Sequence, residues 1–444
     1  MPAEANVHAS IIHIAVPMML AGCSVPLLGL VDTAILGHLD HAVFLAAVAA
    51  GGSIMTFIGW LFAFLRMGNT GLTAQSLGRN DNARNREILA QSLGLGTVCG
   101  LILIIFSWPL LTLSVALITP SVHIRELTYE YCQIRIFAAP ATFATSAAVG
   151  WLLGNGRARN CVVILLATNL LNIILDFLLI VGLKMNSAGA AWASLIAEWA
   201  GFALAIWLVA GIARAMPETK LSGIFRIEKI KSLLTVNQQL FFRTCCIVFT
   251  MAFFHAQGAR MGDTVLAANA ILIQLLLLIA YTQDGFANAA EALTGKAIGS
   301  GALNTFFAIT RLVIGWGYAL ALLATVILAG FPEQIIRIFT DLPGVHDQAM
   351  TSWYWLVWLP LASAFCFMAD GIFIGTGKTR DMLDSMLIAT FLVFLPCWYF
   401  TRGWGNDGLW LSYFSFLLSR SLLMGWVFMR HTRRDNWLSS QSVF

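Results

Sequence analysis

Twelve apolar stretches, beginning near residues 11, 43, 88, 128, 161, 189, 232, 264, 305, 348, 383 and 408, run from one end of the chain to the other. A stretch of about 20 apolar residues is the length of helix that crosses ~30 Å of hydrocarbon. Each stretch is therefore read as a membrane-spanning helix. Of the 444 residues, 59% are hydrophobic and 11% are charged, which leaves no soluble domain of useful size. The expected fold is an all-α polytopic membrane protein.

Charge orients the spans. Basic residues in the loops after even-numbered spans, with the C-terminal tail, number sixteen, from Arg79, Arg84 and Arg86 to Arg430, Arg433 and Arg434. The loops after odd-numbered spans hold five: Arg125, Lys184, Arg260, Arg337 and Arg402. This positive-inside bias predicts that both termini are cytoplasmic. The mild net charge of +4 sits in short loops and argues for topology, not for nucleic-acid binding. "LAGC" at Leu20–Cys23 has the look of a lipoprotein cleavage box. It lacks a basic region before it and the apolar run continues past it, so the first span is expected to be retained. The eight cysteines lie in or beside spans without metal-site or disulfide spacing, and read as small packing residues.

The halves repeat. "LTAQSLG" from Leu72 answers "LTGKAIG" from Leu293, "GWLLGNGRAR" from Gly150 answers "GIFIGTGKTR" from Gly371, and "LAAVA" from Leu45 answers "LAANA" from Leu266; each pair is 221 positions apart. Because each half holds six spans, the copies share one orientation and are related by an axis along the membrane normal. The expected division is an N-lobe at 1–218 and a C-lobe at 219–444, joined through the basic stretch from Ala213 to Lys231. Two such lobes around a cleft suit alternating access, which by itself names no cargo.

Acids inside spans carry the chemistry. Asp32 lies about 20 residues into a helix entering from the cytoplasm, in the outer half of the bilayer at ~1.5 Å per residue. Asp176 in the fifth span reaches similar depth, and Asn169, Asn172 and Asp176 share one helix face. Ser194, in the sixth span, comes to the same level. A carboxylate in a span is costly and functional by default, although pairing with Arg66 or Arg135 would neutralise it. Oxygen ligands of this kind suit H⁺ or Na⁺, and no transition-metal site or organic cofactor is expected. In the C-terminal half, Asp284, Glu291 and Asp370 are candidates for substrate binding or coupling, with Lys296 and Lys378 near enough to compensate them. An acidic, aromatic-lined cleft favours organic cations. Pro17 and Pro26 interrupt the hydrogen-bond ladder of the first span, which should let it bend. "NIILD" resembles part of a prenyltransferase motif, but the next helical turn brings Ile180 where a further aspartate would hold Mg²⁺. No GxSxG, HExxH or phosphate-binding loop occurs either, so no enzyme is expected.

"VPLLGLVDTAILGHLD", "FLRMGNTGLTAQSLG", "GWLLGNGRARN", "LNIILDFLLIVGLKMNSAGAAWASLIAE", "DGFANAAEALTGKAIG" and "ADGIFIGTGKTR" together resemble the multidrug and toxic compound extrusion (MATE) transporters, and within them the DinF branch. The resemblance implies two pseudo-symmetric six-helix bundles around a cavity, and export of amphipathic, often cationic compounds in exchange for H⁺ or Na⁺. It places coupling on Asp32, with Asn172, Asp176 and Ser194 beside it. The seventh span lacks the acid that the NorM branch uses for a C-lobe Na⁺ site, which puts that site in doubt here. A monomer in the bacterial inner membrane, in contact with lipid and small organic substrates, follows from the same resemblance. A lipid-linked saccharide flippase is the alternative; it would want arginines in its cleft, whereas the intramembrane charges read as mainly acidic. A major-facilitator transporter also has twelve spans, but "LGRNDNARNRE" lacks that family's signature.

Overall fold

The structure is a computed structural model and describes residues 2–37, 42–118, 122–216 and 226–438. Among the described residues every regular element is helical. Twelve helical stretches are long and apolar enough to cross a membrane, from Asn6–Ser24 and Val43–Gly78 to Thr379–Trp404 and Asn406–Arg433. The spans start within a turn or two of the expected positions.

The chain forms two compact units, Leu20–Asn237 and Met1–Met19 with Gln238–Phe444. The borders of these units fall at Met19/Leu20 and Asn237/Gln238, and the expected join at 218/219 lies outside the described residues. The first turns of the chain belong with the C-terminal half, where Gly285 lets that helix lie close: a Cβ there would meet Met19 and the Ala15 carbonyl. The start of the seventh span belongs with the N-terminal half, where Asn237 packs on Gly68. The border therefore falls inside one continuous helix, Pro2–Gly37, between Pro17 and Pro26.

The repeat extends to individual backbone contacts. In the N-terminal unit Phe64–Gly78 packs along Ala139–Gly154, and in the C-terminal unit Asp263–Gly299 packs along Pro343–Gly375. A Cβ on Gly150 would strike the Arg66 carbonyl, and one on its mate Gly371 would strike the Ala287 carbonyl. Gly154 likewise faces Thr70 and Thr73, while Gly375 faces Glu291 and Thr294. Both helices end in the same left-handed turn. Gly156 has φ 72° and the Arg157 N–H donates to the Leu152 carbonyl at 2.8 Å; Gly377 has φ 73° and the Lys378 N–H donates to the Phe373 carbonyl at 2.9 Å. Glycine adopts this conformation without steric cost, and the six-to-one bond closes the helix. The repeated "GNGRAR" and "GTGKTR" segments thus serve chain reversal between spans.

Candidate functional site

The fifth and sixth spans form a hairpin, Ala158–Asp176 followed by a π-helical turn Phe177–Gly182, then Asn186–Arg214. Gly201 admits the Thr168 side chain and draws the two helices together. On the inward face of the fifth span the buried residues run Cys161, Ile164, Asn172, Asp176 and Ile180, so a polar pair sits between apolar turns. Asn172 is 3% exposed, Asp176 1% and Ser194 7%.

The Asn172 amide connects the other two. With its nitrogen toward the carboxylate, Nδ2 donates to Asp176 Oδ2 at 3.1 Å, and Oδ1 accepts from Ser194 Oγ at 3.1 Å and the Ser194 N–H at 3.0 Å. This orientation satisfies all three contacts, which is how an amide's two ends are told apart. One turn back, Asn169 donates to Ser24 Oγ at 2.9 Å and ties the fifth span to the first. The sequence-predicted set Asn172, Asp176 and Ser194 is therefore one hydrogen-bonded cluster. The helix carrying Asp32 and Pro26 is described, but their side chains lie outside the described residues. Asp176 ends the α-helical part of its span, and the π-turn begins at the next residue. Such turns recur at functional sites, and nothing in the residue pattern announced this one.

Arg135 does not neutralise this cluster. It donates to Glu198 at 2.8 Å and to the Tyr131 hydroxyl at 3.0 Å. Glu198 lies one turn after Ser194 on the same helix and was missed as a charged partner. Each member of the pair keeps 21% of its side chain exposed. Glu198→Gln strands a mostly buried guanidinium, and such losses cost about 3 kcal/mol. Thermal inactivation of the purified variant should come at lower temperature, and Arg135→Met with Glu198→Leu should recover most of the loss. An unshifted Glu198→Gln midpoint would refute this account of the pair.

The C-terminal candidates separate. Asp284 is exposed and Glu291 is 2% exposed, although both lie on one face of Asp263–Gly299. Asp370 meets neither Lys296 nor Lys378 as its ion-pair partner: Arg243 and Arg420 both donate to its Oδ2, the latter at 3.0 Å. Lys378 lies between spans, where burial lowers its proton affinity against the pull of Asp381. The picture of mainly acidic intramembrane charge is therefore corrected by Arg135, Arg243 and Arg420, each inside a span and held by a carboxylate. Among the described residues no cluster of three His, Cys, Asp or Glu side chains could hold a metal ion.

Known proteins agree with this architecture. The chain is 35% identical to "DNA damage-inducible protein F" of Escherichia coli (strain K12) over 96% of its own length and 93% of that protein's. It is 22% identical to "Probable multidrug resistance protein NorM" of Bacillus cereus over 89% of each. A solved structure described as "Outward-facing conformation of a multidrug resistance MATE family transporter of the MOP superfamily" superposes with a TM-score of 0.85, at 21% identity and 96% coverage of both chains. Another, described as "Crystal structure of MATE in the bent conformation", superposes at 0.85 and 20% identity, covering 99% of this chain and 98% of that one. The MatE family model matches residues 17–178 and 240–400, one stretch in each half. With the two-fold repeat and the twelve spans, these matches establish that the chain is a multi-pass membrane protein of the MatE family of transporters.

Proposed function

We propose that this chain is a secondary active exporter, which expels amphipathic and chiefly cationic organic compounds in exchange for H⁺ by alternating access. It works in the bacterial inner membrane, as a monomer with both termini cytoplasmic. The observation that carries this reading is the Asn172–Asp176–Ser194 cluster, in which a carboxylate buried in a span accepts from an amide that is itself bonded to a serine. A carboxylate that accepts from an amide can take and release a proton without leaving a partner's charge stranded.

Asp32 is the second coupling acid. It lies in the helix that crosses the border of the two compact units between Pro17 and Pro26. Proline leaves a carbonyl of the preceding turn without its helical bond, so bending is concentrated there. Proton uptake from outside then favours a bent first helix and cargo release, and proton loss to the cytoplasm restores the binding form. The multidrug names of relatives and the resemblance to MATE transporters support the cargo class.

The test is efflux from proteoliposomes under separately imposed gradients. A pH gradient without Na⁺ should drive export of a cationic dye such as ethidium, and a Na⁺ gradient at equal pH should not. The reverse outcome transfers the same oxygen cluster to Na⁺ coupling, since hard oxygen ligands also suit that ion.

A further inference from the structure

Two guanidiniums share one carboxylate oxygen in the C-terminal unit. Arg243, on the seventh span, and Arg420, on the twelfth, both donate to Oδ2 of Asp370 on the tenth. Both arginines are 5% exposed, and the Asp370 side chain keeps 13%. The group carries one more positive than negative charge. The Nε of Arg243 is buried and has no hydrogen-bond partner among the described residues. Two guanidiniums bring ten N–H donors against a single carboxylate.

Besides Asp370 and Arg243, the described side chains around Arg420 are uncharged ones. Arg420 lies 5.6 Å from the centre of the Phe416 ring. The Tyr413 hydroxyl approaches Met251 Sδ at 3.5 Å. Cys366, Leu417 and Phe394 belong to the apolar cluster of this unit. An unbalanced cation away from water is expensive, and arginine's planar fork is matched to carboxylate and phosphate oxygens. A group built only to neutralise Asp370 would need one arginine.

We propose that Arg243 and Arg420 form an anion-accepting subsite, which takes the carboxylate or phosphate oxygens of an amphipathic ligand while Asp370 holds the place in its absence. As a cargo subsite it rests on the exporter reading, and it extends that cargo class to anionic and zwitterionic amphiphiles. Asp370 is on this view an internal competitor. Removing its charge should strengthen the ligand's hold, which a purely structural ion pair would not do.

The probes are dansyl-labelled undecanoic acid and its primary amide, titrated by fluorescence against the full chain in phosphatidylcholine nanodiscs with no ion gradient. The acid should bind the parent about tenfold more tightly than the amide, the scale of one charge-assisted contact. Asp370→Asn should tighten acid binding alone, and the acid but not the amide should raise that variant's inactivation temperature. Arg243→Gln should bring the acid to the level of the amide, whose unchanged binding shows that the variant is folded. Equal binding of acid and amide by the parent, or unchanged acid binding by Asp370→Asn, overturns the proposal. Adding phosphatidylglycerol distinguishes the sources: competition with the acid assigns the subsite to a lipid headgroup, and undisturbed acid binding assigns it to cargo. Failure of proton-driven efflux would leave the acid-to-amide ratio intact, so the two readings fail separately.

Discussion

Vesicles carrying Asp176→Asn are expected to lose at least about nine-tenths of their proton-driven efflux, while binding of ethidium without a gradient stays within about threefold of the parent. The substitution keeps the volume and removes only the group that titrates. Asp176 is 1% exposed, so a non-isosteric replacement would mix a cavity with the loss of a proton site. Asparagine in its place offers an oxygen to the Asn172 Nδ2, now 3.1 Å from the carboxylate, so the cluster retains its closing bond. Coupling and binding should therefore come apart. Asp32→Asn should fall in the same class, and the double variant should be little worse than either single, as expected of groups acting as one unit. Undiminished transport by Asp176→Asn under a pH gradient would remove this residue from the coupling site. Ser194→Ala, which takes away one donor and leaves the acid, should slow transport by only a few-fold.

The features that could be read from the residues were those with a local period. Spans were legible because hydrocarbon thickness demands about 20 apolar residues in a row. The repeat was legible because Gly150 and Gly371, 221 positions apart, meet equivalent backbone carbonyls, of Arg66 and Ala287, and a larger residue at either is disfavoured. Asn172 and Asp176 could be placed together because one helix face fixes their spacing, and Ser194 followed from the short turn into the next span. Partners held by tertiary folding were not legible. Arg243 and Arg420 stand 127 and 50 positions from Asp370, too far along the chain for any local spacing to pair them. Nearness along the chain pointed to Lys378, whose own surroundings lie between spans. Glu198 was in plain view, four residues after Ser194, yet its partner Arg135 is 63 positions away. The unit border inside the first helix was equally hidden, since it depends on what Gly285 admits from another part of the chain.

A reversal of sign between two pairs of glycines is the other large effect. Alanine is favoured over glycine in a helix interior by about 1 kcal/mol, because glycine loses more backbone freedom on folding. Gly52 and Gly211 lie in helices Ala42–Leu61 and Asn186–Arg214, where an added Cβ meets nothing within 4 Å among the described residues. Alanine there should hold or raise the inactivation temperature of the purified protein. Gly150 and Gly371 are also helical, but each would drive its new Cβ into a backbone carbonyl of the helix packed against it, at Arg66 and Ala287. A flexible side chain can step aside, whereas a carbonyl inside a helix moves only with that helix. Overpacking of this kind costs about 1–3 kcal/mol and more when the obstacle is backbone. Gly150→Ala and Gly371→Ala should therefore each lower the inactivation temperature by several degrees, on the order of 5 °C, and Val at either position should prevent recovery of folded protein. If the two halves are built alike, the two Ala variants should fall by similar amounts. A stable Gly371→Ala beside an unstable Gly150→Ala would mean that the shared contact holds only the N-terminal unit together.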